Sequence, residues 1–262
     1  MNRAECLPRS DRGSRVSSGP ELTSVADARA VPSDLALRVL WRIRRGFDAN
    51  CVIDVLERAT DGDVYVFGGS VRRVLFEDNR SGDLDLMVPN GDSRAFKVLE
   101  SLGVPFEFNR RRHHRYRWND QQIDMLQPRE FYGGFDDVCG ALRFFDLRIN
   151  ALALHLRSRE LLDPFEVLAN SRPVDPGINW SRWSEMSPLE LTVLAIRLVR
   201  IMYEAPWLTI SAVDADRLRK EVMPRIGECD WTAVHQRFPP GRDRFLRCFE
   251  TGVLMRSRPL GP

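Results

Sequence analysis

The sequence lacks the features that define several large protein classes. Its five cysteines are scattered and none is spaced as Cys-x-x-Cys, which argues against a disulfide framework or a zinc knuckle and favours a reducing compartment. No apolar run approaches the roughly 20 residues of a membrane span, and the N-terminus lacks the apolar segment of a secretory signal. We therefore expect a cytoplasmic protein that does not associate with a membrane.

The chain also lacks a strong charge of either sign. Its formal net charge is +2, from 39 Lys and Arg against 37 Asp and Glu, so any basic surface must come from local clustering. The densest cluster is RRRHHRYR at residues 110–117. It is either a surface for RNA or triphosphate groups or a solvated strand edge that its charge protects from aggregation. The candidate RNA contacts are Arg110, Arg111, Arg112, Arg115 and Arg117.

An unusual stretch does occur at residues 64–88, VYVFGGSVRRVLFEDNRSGDLDLMV. Its pattern predicts a strand, a glycine turn, a short helix and a second strand that contains Asp83 and Asp85. Alternate side chains of a strand share one face, so both carboxylates point to the same side, where they can share a cation. A site made of oxygen ligands favours Mg²⁺.

The glycine turn in the same stretch suits an anion. Gly68 and Gly69 let backbone N–H groups approach a phosphate closely, at the start of a helix that Ser70 would cap. A phosphate site beside a carboxylate pair predicts a binding site for a metal-bound nucleoside triphosphate.

The rest of the chain predicts an α+β protein. We expect a disordered leader at residues 1–31, a head domain at 32–172 and a helical neck-like domain at 173–262. The head should hold a mixed or antiparallel sheet with flanking helices, because residues 104–127 alternate as strands do. After residue 187 the apolar residues follow the period of a helix.

Asp124 lies inside an apolar stretch, Ile123–Leu126. Its carboxylate is either a third member of the metal cluster or an outward-facing strand residue. In a sheet beside the strand of Asp83 and Asp85, the metal cluster is the favoured interpretation.

Several segments together resemble a known family. Residues 68–72 (GGSVR) and 83–85 (DLD) resemble the signature of the DNA polymerase β-type nucleotidyltransferases, and in particular the head of bacterial poly(A) polymerases and CCA-adding tRNA nucleotidyltransferases. Residues 146–153 (DLRINALA) are similar to that family's RRDFTINALA segment, and residues 162–165 (LDPF) to its DPFGG strand. The helix at 188–200 resembles its neck helix.

The resemblance implies a role for each matching residue. The strand carboxylates would hold two Mg²⁺ ions, the glycine turn would cradle the β- and γ-phosphates, and the third carboxylate would lie near the attacking hydroxyl and help remove its proton. An arginine would contact phosphate or brace the head, and an asparagine would contact the ribose or its neighbouring loop. The residues so implied are Asp83, Asp85 and Asp124 as catalytic residues, Asp83 and Asp85 as metal ligands, and Gly68, Gly69, Ser70, Arg72 and Asn150 as nucleotide-binding residues.

The sequence also departs from the family pattern. Arg73 stands where the family has aspartate, and Phe144 and Phe145 stand where it has two arginines. In the neck helix, Glu190 or Leu194 replaces an arginine, depending on the alignment. The side chains with which CCA-adding enzymes select a base are therefore not expected here.

We expect a Mg²⁺-dependent enzyme that transfers a nucleoside monophosphate from a triphosphate, ATP or CTP, to an acceptor hydroxyl. The favoured acceptor is an RNA 3′ end, such as that of tRNA. A small-molecule or protein acceptor is the alternative, because little chain follows the neck-like helix to grip RNA. A third hypothesis is a nucleotide-sensing module that has lost turnover.

Overall fold

The computed structural model describes residues 32–46, 50–76, 83–109, 112–119, 121–131, 134–168, 175–235 and 242–258. The predicted leader, the predicted boundary at residue 173 and the candidates Arg110 and Arg111 lie outside the described residues. Within the described ranges, a mixed sheet with flanking helices is followed by a helical region. The predicted α+β class is confirmed.

The strands of the head form one sheet in the order β3-β4-β5-β2-β1-β6-β7. All neighbouring strands pair antiparallel except β2 and β5, which are parallel. The strands are β1 Tyr65–Phe67, β2 Leu84–Met87, β3 Phe106–Phe108, β4 His114–Trp118, β5 Gln121–Leu126, β6 Ala153–His155 and β7 Leu161–Leu162.

Helices flank this sheet. Further helices make up most of the region that follows it in the chain. None of the helices in the described ranges is long and apolar enough to cross a membrane. A short parallel pair, β8 Ile210–Ser211 and β9 Ser257–Arg258, lies within the helical region. The helices are α1 Pro32–Gly46, α2 Asn50–Ala59, α3 Gly69–Phe76, α4 Arg94–Ser101, α5 Val138–Arg143, α6 Trp180–Trp183, α7 Pro188–Glu204, α8 Ala212–Arg217, α9 Met223–Gly227, α10 Trp231–His235 and α11 Arg242–Gly252.

The β4–β5 hairpin has two chemically distinct faces. Tyr116, Ile123 and Met125 are fully buried on one face, whereas Arg115 and Asp124 are paired across the strands on the other. This alternation results from the strand period of two. One face joins the core, and the polar face is left to line a cleft.

The long helix α7 connects the helical region to the head. It begins with a capping box, in which the Ser187 hydroxyl accepts from the Glu190 N–H and the Glu190 carboxylate accepts from the Ser187 N–H. Its buried face, including Leu191 and Leu198, packs against α9, α10 and α11. One apolar cluster extends from the head helices through α7 to α11, so the head and the helical region share a core.

Candidate active site

The parallel pairing of β2 with β5 brings the predicted carboxylates together. Asp85 and Asp124 are register partners on these two strands. Asp83 precedes β2 and lies two residues from Asp85, on the same face of the strand. The three carboxylates therefore meet on the cleft side of the sheet, and all three line one cleft.

These carboxylates repel one another. Burial raises the pKa of Asp85 to about 7, and the negative charges of Asp124 and Asp83 contribute to that rise. Burial and the charge of Asp124 also raise the pKa of Asp83. Such an excess of negative charge is what a divalent cation relieves.

The donor set suits a cation that is shared with a substrate. Among the described residues, no group of three His, Cys, Asp or Glu side chains is arranged to hold a metal ion by itself. Mg²⁺ is commonly bound by one or two carboxylates and completes its shell with phosphate oxygens and water. Asp83 and Asp85 fit that arrangement.

Asp124 faces the cleft but is already paired. Arg115 binds it through two hydrogen bonds, Nε to Oδ1 at 2.7 Å and Nη2 to Oδ2 at 2.9 Å. The other described arginines of the basic run lie elsewhere: Arg117 is exposed, 3.4 Å from Glu107, and Arg112 lies in the preceding turn. A metal-binding or proton-accepting role for Asp124 stays a prediction.

The glycine turn lies directly beside the carboxylates. Gly68 has a φ of +66°, and a Cβ there would lie 3.7 Å from Oδ2 of Asp85. Gly69 begins helix α3 and also lines the cleft. A bulkier residue in this turn would occupy the space next to the carboxylates, so glycine is suited to a site that admits phosphate.

Ser70 has contacts that differ from the predicted phosphate contact. The side chain is fully buried. Its hydroxyl donates to the backbone oxygen of Asp83 at 3.0 Å and accepts from the N–H of Asp85 at 2.9 Å. Ser70 thus fastens the start of α3 to the strand that presents the carboxylates, and a phosphate contact stays a prediction.

Arg72 and Asn150 form a buried pair. Nη1 of Arg72 donates to Oδ1 of Asn150 at 2.6 Å, and Nη2 lies 3.8 Å from Oε2 of Glu204 in α7. Of the two roles predicted for Arg72, this geometry favours bracing. The contact of Arg72 with Glu204 ties the head to the end of helix α7.

The cleft also contains basic residues that were not predicted as site residues. It has a volume of about 860 Å³ and is lined by residues of the sheet, α3 and α7. Nε of Arg73 is buried and has no hydrogen-bond partner among the described residues. On α7, Arg197 pairs with the buried Asp146, and Nε of Arg200 lies 2.7 Å from Oε1 of Glu204. The three-residue spacing of the two α7 arginines was the available sequence signal, because it puts both on one helix face.

Solved structures of other proteins share this fold. One match is a CCA-adding enzyme in complex with ATP, 16% identical, with a TM-score of 0.56; the match covers 82% of this chain and 54% of that chain. Another is a CCA-adding enzyme in complex with CTP, 14% identical, with a TM-score of 0.53; it covers 83% of this chain and 54% of that chain. The chain has the nucleotidyltransferase fold. The predicted resemblance is thereby confirmed at the level of fold.

The nucleotidyltransferase fold of this chain spans about half the length of those two structures. No family model matches the chain, and no curated protein sequence matches it.

The departures from the family pattern give this nucleotidyltransferase fold an aromatic wall, formed by Phe67, Phe131, Phe144 and Phe145 in the cleft. The rings of Phe131 and Phe145 are stacked, with centroids 5.1 Å apart. Cζ of Arg182 lies 3.8 Å from the centroid of the Phe144 ring. An apolar surface therefore stands where two cationic side chains were expected from the resemblance.

Proposed function

We propose that this protein is a Mg²⁺-dependent nucleotidyltransferase that transfers a nucleoside monophosphate from a nucleoside triphosphate to an acceptor hydroxyl. The observation that supports it most strongly is the meeting of Asp83, Asp85 and the turn Gly68-Gly69 at one end of the cleft. Carboxylates for a cation and glycines for a phosphate are the two halves of such a site.

In this proposal the chain positions the reactants and stabilises charge. Asp83 and Asp85 hold Mg²⁺, which neutralises charge on the phosphates when it is bound. Ser70 fixes the strand that presents both carboxylates. Arg73 supplies a positive charge beside them, where it stabilises the leaving pyrophosphate. Arg115 holds the Asp124 carboxylate in a fixed orientation on the same face.

We propose an RNA 3′ end as the acceptor and ATP or CTP as the donor. Two solved structures with this fold are CCA-adding enzymes, one in complex with ATP and one with CTP, which supports both choices. The second candidate is a small-molecule or protein acceptor. It is favoured by the pairing of Arg115 with Asp124 and of Arg117 with Glu107, because paired arginines bind RNA phosphates less readily.

The test is transfer from α-labelled ATP, CTP, GTP and UTP with Mg²⁺ into RNA, protein and small-molecule fractions. The proposal expects label that is lost without Mg²⁺ and lost in the double variant Asp83→Asn/Asp85→Asn. The exposed Asp216 gives a matched control, and Asp216→Asn should retain full transfer. Label in RNA supports the first acceptor, and label in another fraction supports the second. Tight triphosphate binding without any transfer would support the nucleotide-sensing hypothesis instead.

A further inference from the structure

The three carboxylates that meet in the cleft differ in their partners. Both oxygens of Asp124 accept hydrogen bonds from Arg115. Among the described residues, no side-chain hydrogen bond or ion pair engages the carboxylate of Asp83 or Asp85, and the bonds that Ser70 makes here use their backbone atoms. Two carboxylates are therefore open to a cation, and the third already has one in the form of a guanidinium.

The pairing of Arg115 with Asp124 is fixed by the sheet. The two residues are direct partners in the register of β4 and β5, and the Cβ atoms of such partners lie about 4.5–5.5 Å apart. On the opposite face of the hairpin, Tyr116, Ile123 and Met125 are fully buried. A slip of the register by one residue would turn such core side chains toward the cleft. The sheet therefore keeps the guanidinium beside this carboxylate.

The contact is also of a kind that resists exchange. A guanidinium that binds both oxygens of a carboxylate makes two charge-assisted hydrogen bonds. The side chains of Arg115 and Asp124 are only 28% and 14% exposed, so salt screens the pair little. To bind a metal ion, Asp124 would have to give up part of this contact. The freed guanidinium would then lie close to an ion that has the same sign of charge.

The charges in this part of the cleft match a single divalent cation. Asp124 is the register partner of Asp85 on the neighbouring strand, which is the place for a further carboxylate ligand. The ions of two-metal sites lie about 3.5–4 Å apart, and negative ligands must offset their mutual repulsion. Because Arg115 neutralises Asp124, two negative charges remain when the other two carboxylates are ionised. One Mg²⁺ balances them.

We infer that the guanidinium of Arg115 takes the place of a second divalent cation, so that the triphosphate binds with a single Mg²⁺ held by Asp83 and Asp85. The inference rests on the proposed function and differs from the two ions that the family resemblance implies. Asp124 then contributes no ligand to the metal ion, and Arg115 is the residue that sets the number of ions.

The number of bound ions tests the inference without any turnover. Mn²⁺ accepts the oxygen ligands that suit Mg²⁺, and electron paramagnetic resonance separates free from bound Mn²⁺. Two Mn²⁺ ions about 4 Å apart also couple magnetically, whereas a single bound ion gives an uncoupled spectrum. The full chain is titrated with Mn²⁺ and the α,β-methylene analogues of ATP and CTP, and bound nucleotide is counted by equilibrium dialysis. Wild type should bind one Mn²⁺ per bound nucleotide, with an uncoupled spectrum.

Three variants identify the residue responsible. Arg115→Gln frees the Asp124 carboxylate, so this variant should bind two Mn²⁺ per nucleotide and show the coupled spectrum. Arg117→Gln is the matched control, because it removes an arginine of the same strand that pairs with Glu107 and lies outside the cleft. It should stay at one Mn²⁺. Arg115→Gln/Asp124→Asn removes both charges of the pair and keeps the net charge. It should bind one Mn²⁺ with an affinity within about threefold of that of wild type, because Asp124 is not a ligand.

The outcomes separate the inference from the function beneath it. Two coupled Mn²⁺ ions in wild type overturn the inference and leave the proposed function standing, because Arg115 then releases Asp124 to the metal. A single ion in Arg115→Gln also overturns it, as does a second ion in Arg117→Gln, which would make net charge the cause. If Arg115→Gln does not fold, the double variant decides, and a larger loss of Mn²⁺ affinity than the one given above overturns the inference. If wild type binds neither analogue with Mn²⁺, the proposed function with ATP or CTP as the donor fails, and the inference fails with it.

Discussion

At the scale of single residues, the carboxylates of Asp83 and Asp85 lower the stability of the metal-free chain. Burial and like charges raise the pKa values of Asp83 and Asp85, so their ionised forms are disfavoured where they stand. Residues that are unfavourable for folding and gathered at a cleft are typical of functional sites.

Replacing Asp85 should separate stability from activity. Asp85→Asn removes a repelled negative charge, so the metal-free thermal midpoint should stay the same or rise. Transfer should fall by at least about 100-fold, because the variant loses a ligand of the cation that stabilises the transferred group. Thermal unfolding in EDTA checks the predicted midpoint, and transfer rates with Mg²⁺ check the predicted loss of activity. If Asp85→Asn transfers at the wild-type rate, Asp85 is not a ligand that the reaction requires.

Ser70 gives a second prediction, because its contacts in the structure differ from those predicted. Ser70→Ala removes the hydrogen bonds to Asp83 and Asp85 and leaves the buried N–H of Asp85 without its partner. The free energy of unfolding should drop by about 1–3 kcal/mol, measured by urea denaturation of the metal-free protein. If Ser70 served only to contact phosphate, that value would be unchanged and only nucleotide affinity would fall.

The sequence alone was enough to predict Asp83 and Asp85 on one face, because strand period is a local property. It left two alternatives for Asp124, since strand register is set by partners distant in the chain. The bidentate bond from Arg115 depends on the β4–β5 register, and only the structure revealed it. Arg73 was recognised as a departure from the family, but its place beside the carboxylates required the packing of α3.

At the scale of elements, long and strongly patterned segments were predicted well. Helix α7 begins at Pro188 as expected, and β3, β4 and β5 lie where the alternation indicated. Helices α5 and α6 were not predicted, because they have only six and four residues and such lengths show little more than one turn of periodicity. The parallel pairing of β2 with β5 depends on the order of the strands in the sheet, which local sequence patterns do not predict.

The capping box of α7 predicts a measurable contribution to stability. Ser187→Ala leaves the N–H of Glu190 without its side-chain acceptor, so the free energy of unfolding should fall by about 1 kcal/mol. Ser184→Ala, at an exposed serine that donates to the Ser181 carbonyl, is the control and should change it by less than about 0.5 kcal/mol. Urea unfolding measures the free energy of unfolding of both variants. Equal losses in Ser187→Ala and Ser184→Ala would show that the cap contributes nothing.

At the scale of the whole molecule, ion pairs join the head to the helical region. Asp146 of the head is buried and pairs with Arg197 of α7, and Arg72 of the head approaches Glu204 of the same helix. These contacts join residues far apart in the chain, so neither composition nor periodicity could predict them. They add polar contacts to the apolar cluster that the head and the helical region share.

The Asp146–Arg197 pair should couple the two regions energetically. Arg197→Met keeps the length of the side chain but leaves a buried carboxylate unpaired, and it should cost about 3 kcal/mol of unfolding free energy. Asp146→Asn in the same chain should recover part of that loss. A double-mutant cycle measures the coupling. As a control, Lys220→Met, which breaks an exposed pair with Asp216, should cost less than about 1 kcal/mol. A coupling near zero would contradict the prediction.

The parallel neighbours in an otherwise antiparallel sheet have a consequence for how the molecule is made. Between β2 and β5 the chain must pass through α4, β3 and β4 before it returns to the same edge, and parallel neighbours always require such a crossover. Closing that loop costs entropy that only the finished strand pairing offsets. During synthesis, Asp124 can therefore reach Asp85 only after the whole crossover has been made. The pairing of β5 with β2 is also the step that assembles the carboxylate cluster.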